Sequence, residues 1–286
     1  MSQEFSPVRT GGIVADASAR PASVEADALV VFLTEGGVGT GSAADIDAAM
    51  GGQLSRLVAA GEITGKRYEC VALLAPTGIR AGQLVLVGLG RPGDVDTGVI
   101  HRAAATAARS LAGRPRARVA FVADGTWSSR QVEQAVAGAA VGMVGQDLYR
   151  AEKKRTRFGA TVWLAAPPES VARGILIGDG VNLARRLVNT SPDHLYPQTF
   201  SEEAATVAGR TGLDVEIWDE HQLAQERCEA ILAVGRGSKR APRLVILRYR
   251  GPGSQPDCPE WALVGKGVTF DSGGLSLKPT ESMLTM

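Results

Sequence analysis

The sequence predicts an α/β fold in two regions, and three observations carry the prediction. Five short Val-rich apolar runs recur at 28–33 (ALVVFL), 70–75 (CVALLA), 84–89 (LVLVGL), 118–123 (RVAFVA) and 160–165 (ATVWLA). They are continuous rather than alternating, the pattern of strands covered on both faces in a parallel or mixed sheet. Helical patterns lie between them at 44–60, 97–112 and 128–150. The chain has 286 residues, of which 44% are hydrophobic and 35 are glycine, enough for two domains with many tight turns.

Taken in order, the helix at 128–150 opens at Ser128 or Ser129, both good N-caps, with Glu133 in its early turns. A basic run, RAEKKRTR at 150–157, follows. It reads as a nucleic-acid or phosphate patch, or, preferred here, as a solvated helix end where cations suit the C-terminal dipole. A second region starts near 170 with a helix at 170–189, which Pro192 stops by disfavouring the α conformation before it. Thr199 to Glu202 resembles a capping box opening a helix at 201–211. A strand at 213–218, a short helix near Leu223, and strands at 230–234, 244–249 and 261–270 complete the pattern. The expected domains are 1–170 and 171–286.

Several function classes are disfavoured. Lys plus Arg number 31 and Asp plus Glu 30, a net charge of +1 that gives nucleic acid no global attraction. Cys70, Cys228 and Cys258 form no CxxC pair, against a disulfide framework and a Cys zinc site. The start carries Glu4 and no apolar run, and the longest apolar-and-small stretch, 135–145, is short for a membrane span. A cytoplasmic protein with no membrane partner is expected. GLGRPG at 88–93 matches a dinucleotide fingerprint, but Pro92 interrupts the turn and no acid follows between Asp96 and Asp124, so a strand-end turn is expected. His101, His194 and His221 form no zinc motif, and there is no GxSxG elbow.

The C-terminal stretch LVGKGVTFDSGGLSLKP, 263–279, carries the chemistry. Lys266 sits between glycines in a run destined for burial, where a neutral amine can serve as ligand or base. Asp271 ends that run before a Gly pair, and strand ends are where α/β proteins place their sites. The plainer alternative is a snorkelling Lys and a turn-capping Asp, and composition does not choose between them. Their odd separation puts the two on opposite faces of a regular strand, so sharing a metal requires a bend.

This stretch resembles the metal-binding segment of the leucyl aminopeptidases, the cytosol aminopeptidase family. NTSPDHLYP at 189–197, and VGRGSK from Val234 with PRLVIL from Pro242, resemble the entry to that family's catalytic domain and the strand pair after it. The resemblance is strong from about Asn182 to Met286 and architectural before it. It implies a macro-domain-like N-terminal α/β domain, then the first part of an α/β zinc-peptidase-like catalytic domain. It also implies two divalent ions, manganese or zinc, with Asp271 bridging and Lys266 on one ion. Lys278 would be the catalytic lysine that stabilises the oxyanion, and it would touch the substrate there. Met286 would line the pocket for the first side chain. Peptide substrates, leucine preference and a homohexamer when complete are implied as well. The family's next ligand Asp falls just beyond Met286, so the resemblance implies a chain that stops within the catalytic domain and is inactive alone. A second function class stays open: a non-catalytic binding or regulatory module on the first domain, with nucleic acid as a ligand that the net charge does not support.

Overall fold

The structure is a computed structural model that describes residues 12–16, 18–39, 41–251, 253, 261–269, 279 and 281–282. Its elements are β1 (Ile13–Asp16), β2 (Ala28–Leu33), α1 (Ser42–Ala49), α2 (Gln53–Ala59), β3 (Cys70–Leu74) and β4 (Gln83–Gly88). Then come α3 (Thr97–Leu111), β5 (Arg118–Val122), α4 (Ser129–Gly142), β6 (Ala160–Leu164) and α5 (Pro168–Asn189). The last are α6 (Pro197–Thr211), β7 (Asp214–Trp218), α7 (Glu220–Gln225), α8 (Glu229–Gly235) and β8 (Leu244–Arg248). Two compact units divide the chain, one ending at Asn189 and the other beginning at Thr190. Helix α5, which the sequence places at the head of the second region, thus belongs to the first unit, because Gly174 and Gly178 bring it against α4.

The first unit is a mixed α/β layer structure around a six-stranded sheet in the order β1-β6-β5-β2-β4-β3. All neighbours are parallel except β3, which runs antiparallel to β4 at one edge. Every residue of β2 and of β4 is buried, as the continuous apolar runs predict. Alternate side chains feed two cores. Val30, Phe32, Val85, Phe121 and Trp163 meet α3, α4 and the start of α5 on one face. Leu29, Val31, Leu84, Leu86 and Val122 meet α1 and α2 on the other. The Phe121 and Trp163 rings stack with centroids 4.8 Å apart.

Three departures from the sequence reading have local causes. The expected helix 44–60 is two helices, because Gly51 and Gly52 take positive φ of 63° and 75° between them. The buried Asp47 of α1 then caps α2, accepting from the N–H groups of Leu54 (2.7 Å) and Ser55 (3.1 Å) and from the Ser55 hydroxyl (2.5 Å). Burial pushes the Asp47 carboxyl up, but these bonds outweigh it and hold it below its ordinary value. Helix α4 starts as expected, with Ser128 and Gln131 forming a capping box, but ends at Gly142. Strand β1 has four residues, too few to show a period in sequence, and gains its place by pairing with β6 from Ile13 opposite Thr161.

In the second unit β7 and β8 form an antiparallel pair, Asp214 opposite Arg248 through Trp218 opposite Leu244. Helix α6 begins one turn earlier than the sequence suggests. Pro197 supplies its first residue, and the Thr199 hydroxyl accepts from the Tyr196 N–H at 3.0 Å. The run expected as a strand at 230–234 is helix α8; a short apolar run fits either state, and among the described residues no strand edge pairs with it. No described helix is long and apolar enough to cross a membrane. Gly88 to Gly93 forms a tight turn leading into α3, whose first N–H groups Asp96 caps through Val99 at 2.7 Å.

Helices α3 and α4 pack closely because Gly138 lacks a side chain: a Cβ there would fall on the His101 carbonyl, whereas one on Gly180 of α5 would meet open space. We predict that Gly138→Ala destabilises the first unit by about 1–3 kcal/mol through overpacking. Gly180→Ala is expected to be neutral or to stabilise by about 0.5–1 kcal/mol. Urea unfolding measures both, and equal effects would refute the close-approach argument.

His101 lies in the same contact. Burial lowers its pKa below the ordinary 6.5, against the raising effect of a Gln134 hydrogen bond, and its Nδ1 has no partner among the described residues. The unfolded chain therefore binds the proton first as pH falls. This stability contribution is present above pH 6.5 and is lost as pH drops through 6.5 towards the depressed value. Asp47 acts separately, below its unfolded value of 3.8. Unfolding midpoints between pH 7.5 and 5.5 should fall in the wild type and fall less in His101→Gln; identical slopes would remove His101 from the effect.

Candidate metal centre and its supports

Of the four residues that the sequence singles out, Lys266 is described; Asp271, Lys278 and Met286 lie outside the described residues. Lys266 does not sit in the expected strand. Residues 261–269 form neither helix nor strand, and the Lys266 side chain is exposed. Trp261 is 92% and Val264 98% exposed. The physical reason is the lack of a ladder: β7 and β8 pair with each other, and among the described residues no strand runs beside 261–269 to satisfy its N–H and C=O groups. The backbone does pass close to α6 at Gly267, where a Cβ would come within 3.1 Å of the Phe200 ring.

Among the described residues no group of three or more His, Cys, Asp or Glu side chains is placed to hold an ion. Lys266 is a single amine donor, and two adjacent divalent ions need several anionic ligands to offset their repulsion.

What the structure does bring together are two of the sequence segments flanking that stretch. Arg240, just after the VGRGSK segment, reaches the NTSPDHLYP loop at the entry to α6. Its Nη1 donates to the carbonyls of Pro192 (3.0 Å) and Asp193 (3.4 Å), and its guanidinium lies 3.8 Å over the Tyr196 ring. Within the loop, the N–H groups of His194 and Leu195 both donate to the Ser191 carbonyl, at 2.9 and 2.8 Å. Sequence reasoning missed Arg240 because a lone Arg in a polar stretch carries no periodic or motif signal. On the paired strands, Arg248 bridges Glu216 at 2.8 Å, and the Trp218 indole donates to the same carboxylate at 2.6 Å. Those two bonds, the Trp218 one foremost, hold the Glu216 carboxyl below its ordinary value.

The comparisons with known proteins agree with one another. Residues 30–157 match the N-terminal domain of the cytosol aminopeptidase family, and residues 182–286 match its catalytic domain. A probable cytosol aminopeptidase of Rhodopirellula baltica is 41% identical over 226 residues, covering 79% of this chain and 44% of that protein. One from Corynebacterium diphtheriae is 35% identical over 99% of this chain and 56% of its own length. Among solved structures, the bottromycin maturation enzyme BotP in complex with Mn superposes with a TM-score of 0.67 at 29% identity, over 89% of this chain and 51% of that one. A tomato leucine aminopeptidase mutant superposes with a TM-score of 0.70 at 20% identity, covering 85% of this chain and 52% of its own, a likeness of fold. The chain spans about half the length of the relatives it matches.

Arg240 ties the loop at 191–196 to the segment that follows α8, so Arg240→Ala should raise amide exchange at His194 and Leu195 while leaving α6 protected from Ala208 onward. A cation–π contact at an exposed site contributes about 0.5–1 kcal/mol, which sets the expected gain at a few-fold. Unchanged exchange at both amides would show that the loop holds its shape without Arg240.

Proposed function

Because this chain belongs to the cytosol aminopeptidase family, we propose that it serves a metal-dependent aminopeptidase that releases N-terminal residues, leucine preferred, from peptides. The observation that carries this reading is that both domains of the family match in order along one chain, 30–157 and then 182–286. The manganese in the BotP complex supports manganese as one suitable ion. Two divalent ions, when bound, supply a water activated at neutral pH. Lys266 and Asp271 would be the residues of this chain that hold the ions, Lys266 through its amine and Asp271 through its carboxylate. Lys278, as an ammonium, donates to the carbonyl oxygen of the scissile peptide as negative charge develops there. Met286 lines the pocket for the first side chain. A protein carrying the whole catalytic domain is assigned to the cytoplasm as a homohexamer.

The 286 residues supply one amine and one carboxylate to that centre, too few to hold two ions. The purified chain with excess manganese or zinc and a leucine anilide should show no turnover above a metal-only blank. Chelator-sensitive hydrolysis by the chain alone would overturn this part of the reading.

In a protein carrying the whole catalytic domain, Lys278→Ala should lower kcat by about 10²–10³ with metal content retained, the usual loss for one oxyanion donor. Asp271→Ala should lose metal and activity together. Unaltered turnover in the first variant, or full metal occupancy in the second, contradicts the assigned role. Failure of the wild-type protein to release N-terminal residues from any peptide sinks the function itself.

A further inference from the structure

The basic run at 150–157 is not the end of a helix. Helix α4 stops at Gly142, and the run lies in the connection to β6, folded back over the carboxyl end of α4. Arg155 Nη1 donates to the carbonyls of Gly142 (3.4 Å) and Val144 (3.3 Å). From α5, Arg185 donates through Nη1 to the Val141 carbonyl (3.1 Å) and Asn182 Oδ1 (2.9 Å), and through Nη2 to the Val144 carbonyl (3.2 Å). Lys153 Nζ donates to the carbonyls of Asp147 (2.6 Å) and Leu148 (2.8 Å). These groups surround a cavity of about 190 Å³ within the first unit, which Arg157 and Arg186 also line.

The charge around this cavity is unbalanced. Five cationic side chains line it against one lining acid, Asp147, whose Oδ2 accepts from the Lys154 N–H at 2.6 Å; Asp179 offsets one of the five, Arg157. Among the described residues Lys153, Arg155 and Arg185 make no ion pair. The carboxyl end of α4 offsets only about half a charge. Burial first, then the neighbouring Arg155 and Arg109, push the Arg185 guanidinium down. Neutral N–H donors suffice to cap these five carbonyls, and a guanidinium has five N–H groups, so Arg155, using only Nη1 among the described residues, keeps others for a ligand.

We propose that this cavity binds a small multivalent oxyanion of the phosphate class, held by Arg155, Arg185 and Lys153. Its volume lies below the ~300–1,000 Å³ of sites for drug-sized ligands, which favours inorganic phosphate or the head of a phosphomonoester over a nucleotide. Because Arg155 and Lys153 belong to the connection and Arg185 to α5, such an anion ties the connection to the helix.

The test uses the whole 286-residue chain in low-salt buffer. Inorganic phosphate and glycerol phosphate are titrated against sodium chloride of matched ionic strength, with amide exchange of residues 143–157 and phosphorus line broadening as readouts. Saturable slowing of exchange by phosphate at millimolar concentration, absent with chloride, is the expected result. An equal response to glycerol phosphate identifies a site open to monoesters, and a response to the inorganic ion alone identifies a closed one. The double variant Lys153→Gln, Arg155→Gln should raise the midpoint at least tenfold. Should that variant not fold, the contrast between phosphate and chloride in the wild type decides alone. No saturable response, an unchanged midpoint in the folded variant, or protection by duplex DNA without protection by phosphate overturns the proposal.

Discussion

The first unit depends on one constraint: a parallel sheet must be covered on both faces. Strands β2 and β4 lie inside the sheet with every residue buried, so each needs apolar neighbours above and below and a paired strand on each side. Helices α1 and α2 cover one face, and α3, α4 and the start of α5 cover the other. The antiparallel β3 closes one edge and the short β1 the other.

Covering one face with three helices forces them close together, and small residues make room. Ala103, Ala104, Ala107 and Ala108 of α3 are buried, as are Ala135, Ala139 and Ala140 of α4, and Gly138 and Gly142 let α4 approach the α3 backbone. On its far side α4 receives α5 at Gly174 and Gly178. This packing leaves the carboxyl end of α4 beside α5, where Arg155 and Arg185 meet its last carbonyls. The cationic cavity is thus a by-product of helix packing that concentrates more positive charge than the carbonyls require.

The second unit lacks that constraint among its described residues. Its sheet is a pair, β7 and β8, and few of its side chains are deeply buried, Leu223 and Ala208 among them. A two-stranded sheet is marginal without further cover. Local polar bonds therefore do more of the positioning: Arg240 on the α6 entry loop, Asp219 capping α7 through His221 and Gln222, and Arg243 on Glu220 at 2.6 Å.

The sequence by itself determined the α/β class, five strands of the main sheet, the position of α3, the start of α4, and the family. Continuous apolar runs and N-cap residues such as Ser128 act within a few residues, so they are legible without the fold. The motif 264–279, which carries the resemblance to the family, was legible for the same reason, since residue spacing along one segment is local. Tertiary structure decided the rest. Strand β1 exists because β6 offers an edge, α5 belongs to the first unit because glycines fit it to α4, and the run 230–234 is a helix where no strand pairs with it. The same reason leaves Lys266 exposed: a strand is completed by partners distant in sequence, and none is described beside residues 261–269.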